Sequence, residues 1–146
     1  IHRLERLLHF RGGIYFGDDL DAQLQLAAHG KGLMTLRFCC QPWCFAFIRE
    51  GLQRYPTEHT RFSKPLAGDT WWHHPKAPHV LEPGSASDRH PYPVELDLPR
   101  WTVERDVDLR NWLFGFGDGV RIETPSAMQE EHRAKAAAVV ALYPPC

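Results

Sequence analysis

Arginine is the residue type with the widest chemical scope in this sequence. Arg3, Arg6 and Arg11 lie close together near the beginning. Arg37, Arg49, Arg54, Arg61 and Lys64 surround a stretch that alternates apolar and polar residues. A planar guanidinium binds a phosphate through paired hydrogen bonds as well as by charge. Set along a strand face beside exposed aromatic rings, such groups can hold a nucleotide or an unpaired base. On this reasoning Arg3, Arg6, Arg11, Arg37 and Arg61 are the candidate contacts for an anionic ligand. The plain alternative is a solvated face on which each arginine pairs with a carboxylate of its own chain.

Other chemistries find less support. Cys39, Cys40 and Cys44 crowd one apolar run, but they lack Cys-x-x-Cys spacing and no second pair follows at finger distance. Cysteine in such a setting is a small buried hydrophobe, and no metal is expected. His73 and His74 are adjacent, so on an extended chain they point to opposite sides. With His79 they read as part of a solvated loop. Neither a Gly-x-Ser-x-Gly, a His-Glu-x-x-His nor a phosphate loop occurs. Asp106 and Asp108 suit a helix start, where the dipole favours carboxylates. The expectation is a protein that is not an enzyme and carries no cofactor.

Lys plus Arg number 17 and Asp plus Glu 18, a formal net charge of −1. That balance excludes a surface that grips nucleic acid all over, though it permits a local basic patch. The 146 residues make one domain or two very small ones. No apolar run approaches the length needed to cross a bilayer. The mixed charges of the first residues do not form a signal peptide, and the clustered cysteines do not form a secreted disulfide framework. A reducing cytosol is the expected location. The chain lacks an initial Met and begins inside a patterned segment, so it reads as a fragment of a longer protein.

The elements that must position these residues follow from pattern. Residues 1–16 are apolar around Gly12-Gly13, which reads as a turn between two extended pieces. A short helix carrying Leu4, Leu7 and Leu8 is the alternative. Asp18 or Asp19 caps a short helix that ends before Gly30. Residues 33–38 alternate as a half-buried strand. Pro42 opens a helix and Pro56 closes it. Residues 59–63 suit the next strand. Residues 64–91 are a long Pro-rich loop with a short strand or hairpin at Trp71-Trp72. Residues 92–98 alternate best of all, with Glu95 and Asp97 opposite Tyr92, Val94, Leu96 and Leu98. Residues 100–105 can extend that strand past a kink at Pro99.

Asp106 then caps a helix that buries Leu109, Trp112, Leu113 and Phe116. Gly117 stops it and Gly119 turns the chain. Residues 120–123 form a strand. A last helix runs from Ser126 to about Tyr143, with Met128, Ala136, Val139, Val140 and Tyr143 on its inner side. From residue 33 the order is β-α-β-β-α-β-α. It predicts an α+β fold, a ferredoxin-like β-α-β-β-α-β sandwich with an extra C-terminal helix.

These segments, in this order, resemble the C-terminal part of WYL-domain transcriptional regulators. In that family a helix ends in a Trp-Leu…Phe-Gly segment. A short strand, a pair ending in Pro and a closing helix that finishes near Leu-Tyr follow. The matching residues are Trp112, Leu113, Phe116, Gly117, Val120, Ile122, Thr124, Pro125, Leu142 and Tyr143. Ile1 to Leu4 looks like the last strand of the WYL domain, an Sm-like barrel. Phe16 to Asp21 looks like the connector that follows it. The resemblance divides the chain into a WYL tail and connector at 1–30 and a C-terminal extension (WCX) at 31–146. The Trp-Tyr-Leu signature and the DNA-binding head would both lie before Ile1.

The resemblance implies the ligand-sensing and dimerisation region of a bacterial regulator. Its effector would be a nucleotide or single-stranded DNA, and duplex DNA would be reached only through the N-terminal domain. A homodimer is expected, because Leu4, Leu7, Leu8, Ile14 and Phe16 are too apolar to stay wet. The rival expectation is a stand-alone protein-interaction domain of ferredoxin-like fold with no small ligand.

Overall fold

Strict alternation makes one strand the centre of the fold. In β1 (Leu33–Cys40), Leu36, Phe38 and Cys40 are fully buried, while Thr35, Arg37 and Cys39 lie on the opposite side. β1 pairs antiparallel with β4 (Tyr92–Pro99) along its whole length, from Leu33 opposite Pro99 to Cys40 opposite Tyr92. Its other edge pairs antiparallel with β5 (Val120–Thr124), with a bulge between Arg37 and Phe38. β2 (Thr60–Ser63) pairs antiparallel with β4, and β3 (His79–Leu81) adds in parallel to β2. The result is an α+β fold on a five-stranded mixed sheet of order β3-β2-β4-β1-β5.

The computed structural model describes residues 33–52, 55, 57–70 and 78–145. The expected WYL tail, its connector and the hairpin at Trp71-Trp72 lie outside them. So do Arg3, Arg6, Arg11, Arg54, His73 and His74.

The helices cover the apolar side of the sheet. α1 (Pro42–Gly51) starts at a proline, as expected, and buries Cys44, Phe45 and Ile48. The Phe45 ring stacks on Tyr92 at 4.8 Å and meets the edge of Phe62 at 6.0 Å. β3 falls within the expected loop. It forms because Phe62 N–H donates to Pro78 O and Lys64 N–H to Leu81 O.

Residues 100–105 do not extend β4. They form a helix, α2 (Arg100–Arg105), which buries Thr102 and Val103. An Arg100–Glu104 pair one turn apart supports it. Burial at helical spacing, with Trp101 left outside, outweighs the strand preference of Trp, Thr and Val. Asp106 caps α3 (Val107–Phe114) by accepting from Asp108 N–H. Leu109 and Leu113 enter the core, whereas Trp112 and Phe116 are only half-buried. Arg110 then ties three helices together. Its guanidinium donates to the carbonyls of Val103, Glu104 and Asp106 at the end of α2 and to Glu131.

Glu131 belongs to α4 (Ser126–Leu142), which packs on β5. α4 is about 25 Å long and β5 about 17 Å. Met128 is its one buried residue, and 133–145 are all exposed. Ala136, Val139, Val140 and Tyr143, expected on an inner side, therefore stand clear of the core. Leu113→Ala is expected to cost about 2–5 kcal/mol in chemical denaturation, because it leaves a cavity in a filled core. Val140→Ala should change stability by less than about 0.5 kcal/mol. A cost for Val140→Ala equal to that of Leu113→Ala would place α4 inside the core after all.

Candidate functional site

The face of the sheet turned away from the core carries charge, and the register dictates which charges meet. Arg37 on β1 and Arg61 on β2 both lie directly opposite Glu95 on the intervening β4. Residue 97 is two positions further along β4, so Asp97 shares that face. Glu123 and Arg121 project from β5 to the same side. Five side chains at the centre, Arg37, Arg61, Glu95, Asp97 and Glu123, are only 21–35% exposed.

These groups form a continuous ladder across four strands. Arg61 grips Asp97 with two parallel hydrogen bonds of 2.8 Å, and its Nε donates to Glu95 at 2.8 Å. Arg37 Nη1 donates to the other oxygen of Glu95 at 2.7 Å, and its Nε donates to Glu123 at 2.8 Å. Arg121 stands 3.7 Å from Glu123 and 3.6 Å from Asp88. Thr35 Oγ1 donates to Asp97 at 2.8 Å, Cys39 Sγ to Glu123 at 3.1 Å, and the Tyr55 hydroxyl to the Asp97 carbonyl.

The proton affinities follow from these contacts. The Arg61 hydrogen bonds hold the Asp97 carboxyl below its ordinary range, against the effect of burial. Burial pushes Glu95 up, but hydrogen bonds from Arg61 and Arg37 outweigh it and leave the group low. Glu123 is likewise raised by burial and lowered further by Arg37 and Cys39. Burial, with the neighbouring Glu123, lifts the Cys39 thiol to about 11. Cys39 is thus no nucleophile at neutral pH.

Of the five arginines the sequence singles out, the structure brings Arg37 and Arg61 together on one face. Both are already engaged by carboxylates, Arg61 through all three of its nitrogens and Arg37 through two. An anion that takes over these hydrogen bonds displaces Glu95, Asp97 or Glu123 and leaves a half-buried negative charge uncompensated. Arg49 is buried, with its guanidinium 4.9 Å over the Phe45 ring, and Lys64 pairs with Glu82. Sequence reasoning did not single out Glu95, Asp97 and Glu123 as site residues. The legible signal was the pair of carboxylates on one face of the best-patterned strand.

The cysteines separate by strand alternation. Cys39 faces the ladder, while Cys40 and Cys44 lie in the core, all as free thiols. Among the described residues no three His, Cys, Asp or Glu side chains stand close enough to hold a metal ion. His79 packs at 5.4 Å on Phe62, its Nδ1 on the Ser63 carbonyl. No helix among the described residues is long and apolar enough to cross a membrane. Comparison of the chain with protein-family models, with curated proteins and with solved structures returns no match.

Removing the central cation should expose what the ladder contributes. Arg61→Gln strands Asp97 and half of Glu95, at an expected cost of about 1–3 kcal/mol near neutral pH. Carboxylates whose native pKa is depressed stabilise the fold above their unfolded values, here 3.8 for Asp97 and 4.5 for Glu95. They lose that contribution as pH falls through the lower native values. The gap between wild type and variant, measured by urea denaturation, should therefore be widest above about pH 6 and shrink below about pH 4. A gap independent of pH would show that Arg61 acts by packing alone.

Proposed function

We propose that this chain is the ligand-sensing and dimerisation region of a WYL-class transcriptional regulator. One observation carries the reading. With the short β3 set aside, the strand order is β2-β4-β1-β5 and every neighbour is antiparallel. A ferredoxin-like sandwich, which the resemblance implies for the C-terminal extension, would have this strand order, and that agreement supports the reading. The segment that carries the resemblance supports it too. Trp112 and Leu113 end a helix, Gly117–Gly119 makes a tight 3₁₀ turn, Val120 and Ile122 enter the sheet, and α4 starts after Pro125. Gly117 sits at φ 59°, a left-handed conformation that favours glycine.

In this reading the effector is a nucleotide or single-stranded nucleic acid. Arg37 and Arg61 are held by the ladder, so recognition of phosphate falls first to Arg3, Arg6 and Arg11. The effector acts by binding one arrangement of the regulator more tightly than another. The second reading, a protein-interaction domain with no small ligand, draws support from the same ladder, whose cations are all engaged.

Titration of the full chain with fluorescent single-stranded oligonucleotides and with nucleotides distinguishes the two. Saturable binding that weakens steeply with salt is expected. It should be lost on replacing Arg3, Arg6 and Arg11 together by Ala and largely kept in Arg61→Gln. Failure of every such ligand to bind at low salt would leave the interaction-domain reading in its place.

A further inference from the structure

Where the first turn of α4 approaches the end of α2, the helix layer leaves a cavity of about 390 Å³ over the start of β1. Small-molecule sites span about 300–1,000 Å³ and combine an apolar lining with a few charged groups at fixed positions. The floor here is apolar. Met34 continues the core phase of Leu36 and Phe38 but is only half-buried, and Met128 and Val103 are buried beside it. Met34 and Met128 are the two methionines of the chain. Their side chains are unbranched and polarizable, so they adapt to an irregular guest and favour contact with an aromatic ring.

The walls are fixed in advance. Arg110 donates to the carbonyls of Val103 and Glu104 and to Glu131, which ties the end of α2 to α4 at the edge of the cavity. The charges around the rim do not cancel. Glu131 is engaged by Arg110, and Glu104 pairs with Arg100 one turn back. Arg105 is exposed at the rim, with no carboxylate or hydrogen-bond partner among the described residues. One guanidinium is therefore left over, and its fork fits a carboxylate through two parallel hydrogen bonds.

We propose that this cavity binds a small aromatic carboxylate, with the ring on the Met34–Met128 floor and the carboxylate on Arg105. The ligand differs in chemistry from the polyanion assigned to Arg3, Arg6 and Arg11, and the two are read by different residues. A neutral analogue keeps the contacts of the ring and loses the ion pair.

The floor supplies its own reporter, because a full chain labelled with ¹³C at the methionine methyls gives one signal for Met34 and one for Met128. Titration with 2-naphthoate is expected to move both signals along one saturable curve, with a midpoint below about 1 mM. 2-Naphthamide, of the same shape but uncharged, should bind at least about tenfold more weakly. Arg105→Gln should bring the acid down to the level of the amide and leave the amide unchanged. Arg105 is exposed, so Tm should not move. Ala127 lies exposed on the lining, and Ala127→Phe, which sets a ring into the cavity, should abolish binding of both compounds. Signals that stay still to about 5 mM, or that move as before in Ala127→Phe, overturn the site. Equal affinity for acid and amide, or an unchanged curve in Arg105→Gln, overturns the carboxylate assignment.

Discussion

Everything in this domain depends on the two-residue period of one central strand. β1 is paired on both edges, so each of its side chains has only two directions available. Leu36, Phe38 and Cys40 take the helix side, and Thr35, Arg37 and Cys39 take the other. A slip of one residue against β4 would bring Arg37 into the packing around Phe45 and Phe62 and send Leu36 to the charged side. The full-length register with β4 therefore sets the core and the ladder at once.

The ladder in turn decides what the charged face can do. Its carboxylates alternate with its guanidiniums across four strands, and the central groups are largely withdrawn from water. Such a face is self-satisfied. It orders β2, β4, β1 and β5 relative to one another, and it presents little uncompensated positive charge to a polyanion. The uncovered chemistry of the described chain lies elsewhere, in the cavity between β1, α2 and α4.

Much of this was legible in the sequence, for physical reasons. β4 could be read because alternation of Tyr92, Val94, Leu96 and Leu98 with Glu95 and Asp97 has one structural meaning. Pro42 and Asp106 mark helix starts because their backbone preferences and hydrogen-bonding groups are local, whereas the helix expected to run to Gly117 ends at Phe114 and Gly117 opens the 3₁₀ turn that follows. α2 is not legible in the sequence, because six residues rich in Trp, Thr and Val favour a strand until burial of Thr102 and Val103 chooses the helix. β3 was hidden, because three residues of strand depend wholly on the neighbour they join. The stripe expected on the inner side of α4 is exposed, because an apolar stripe declares that it needs cover and not where that cover lies. The arginines were noticed as cations. Their partners became visible only when strand order put Glu95 between Arg37 and Arg61.

The measurement that bears most directly on this account is the NMR spectrum of the arginine Nε–H groups in the ¹⁵N-labelled chain, recorded against pH and against single-stranded oligonucleotide. Arg37 Nε–H donates to Glu123 and Arg61 Nε–H to Glu95. The account predicts two slowly exchanging signals at neutral pH, assigned through Arg37→Lys and Arg61→Lys. Both should keep their positions as oligonucleotide is added, and both should move to the positions of exposed arginines as the carboxylates protonate below about pH 4. Signals at pH 7 that exchange as fast as those of exposed arginines, or that shift on addition of oligonucleotide, would contradict it.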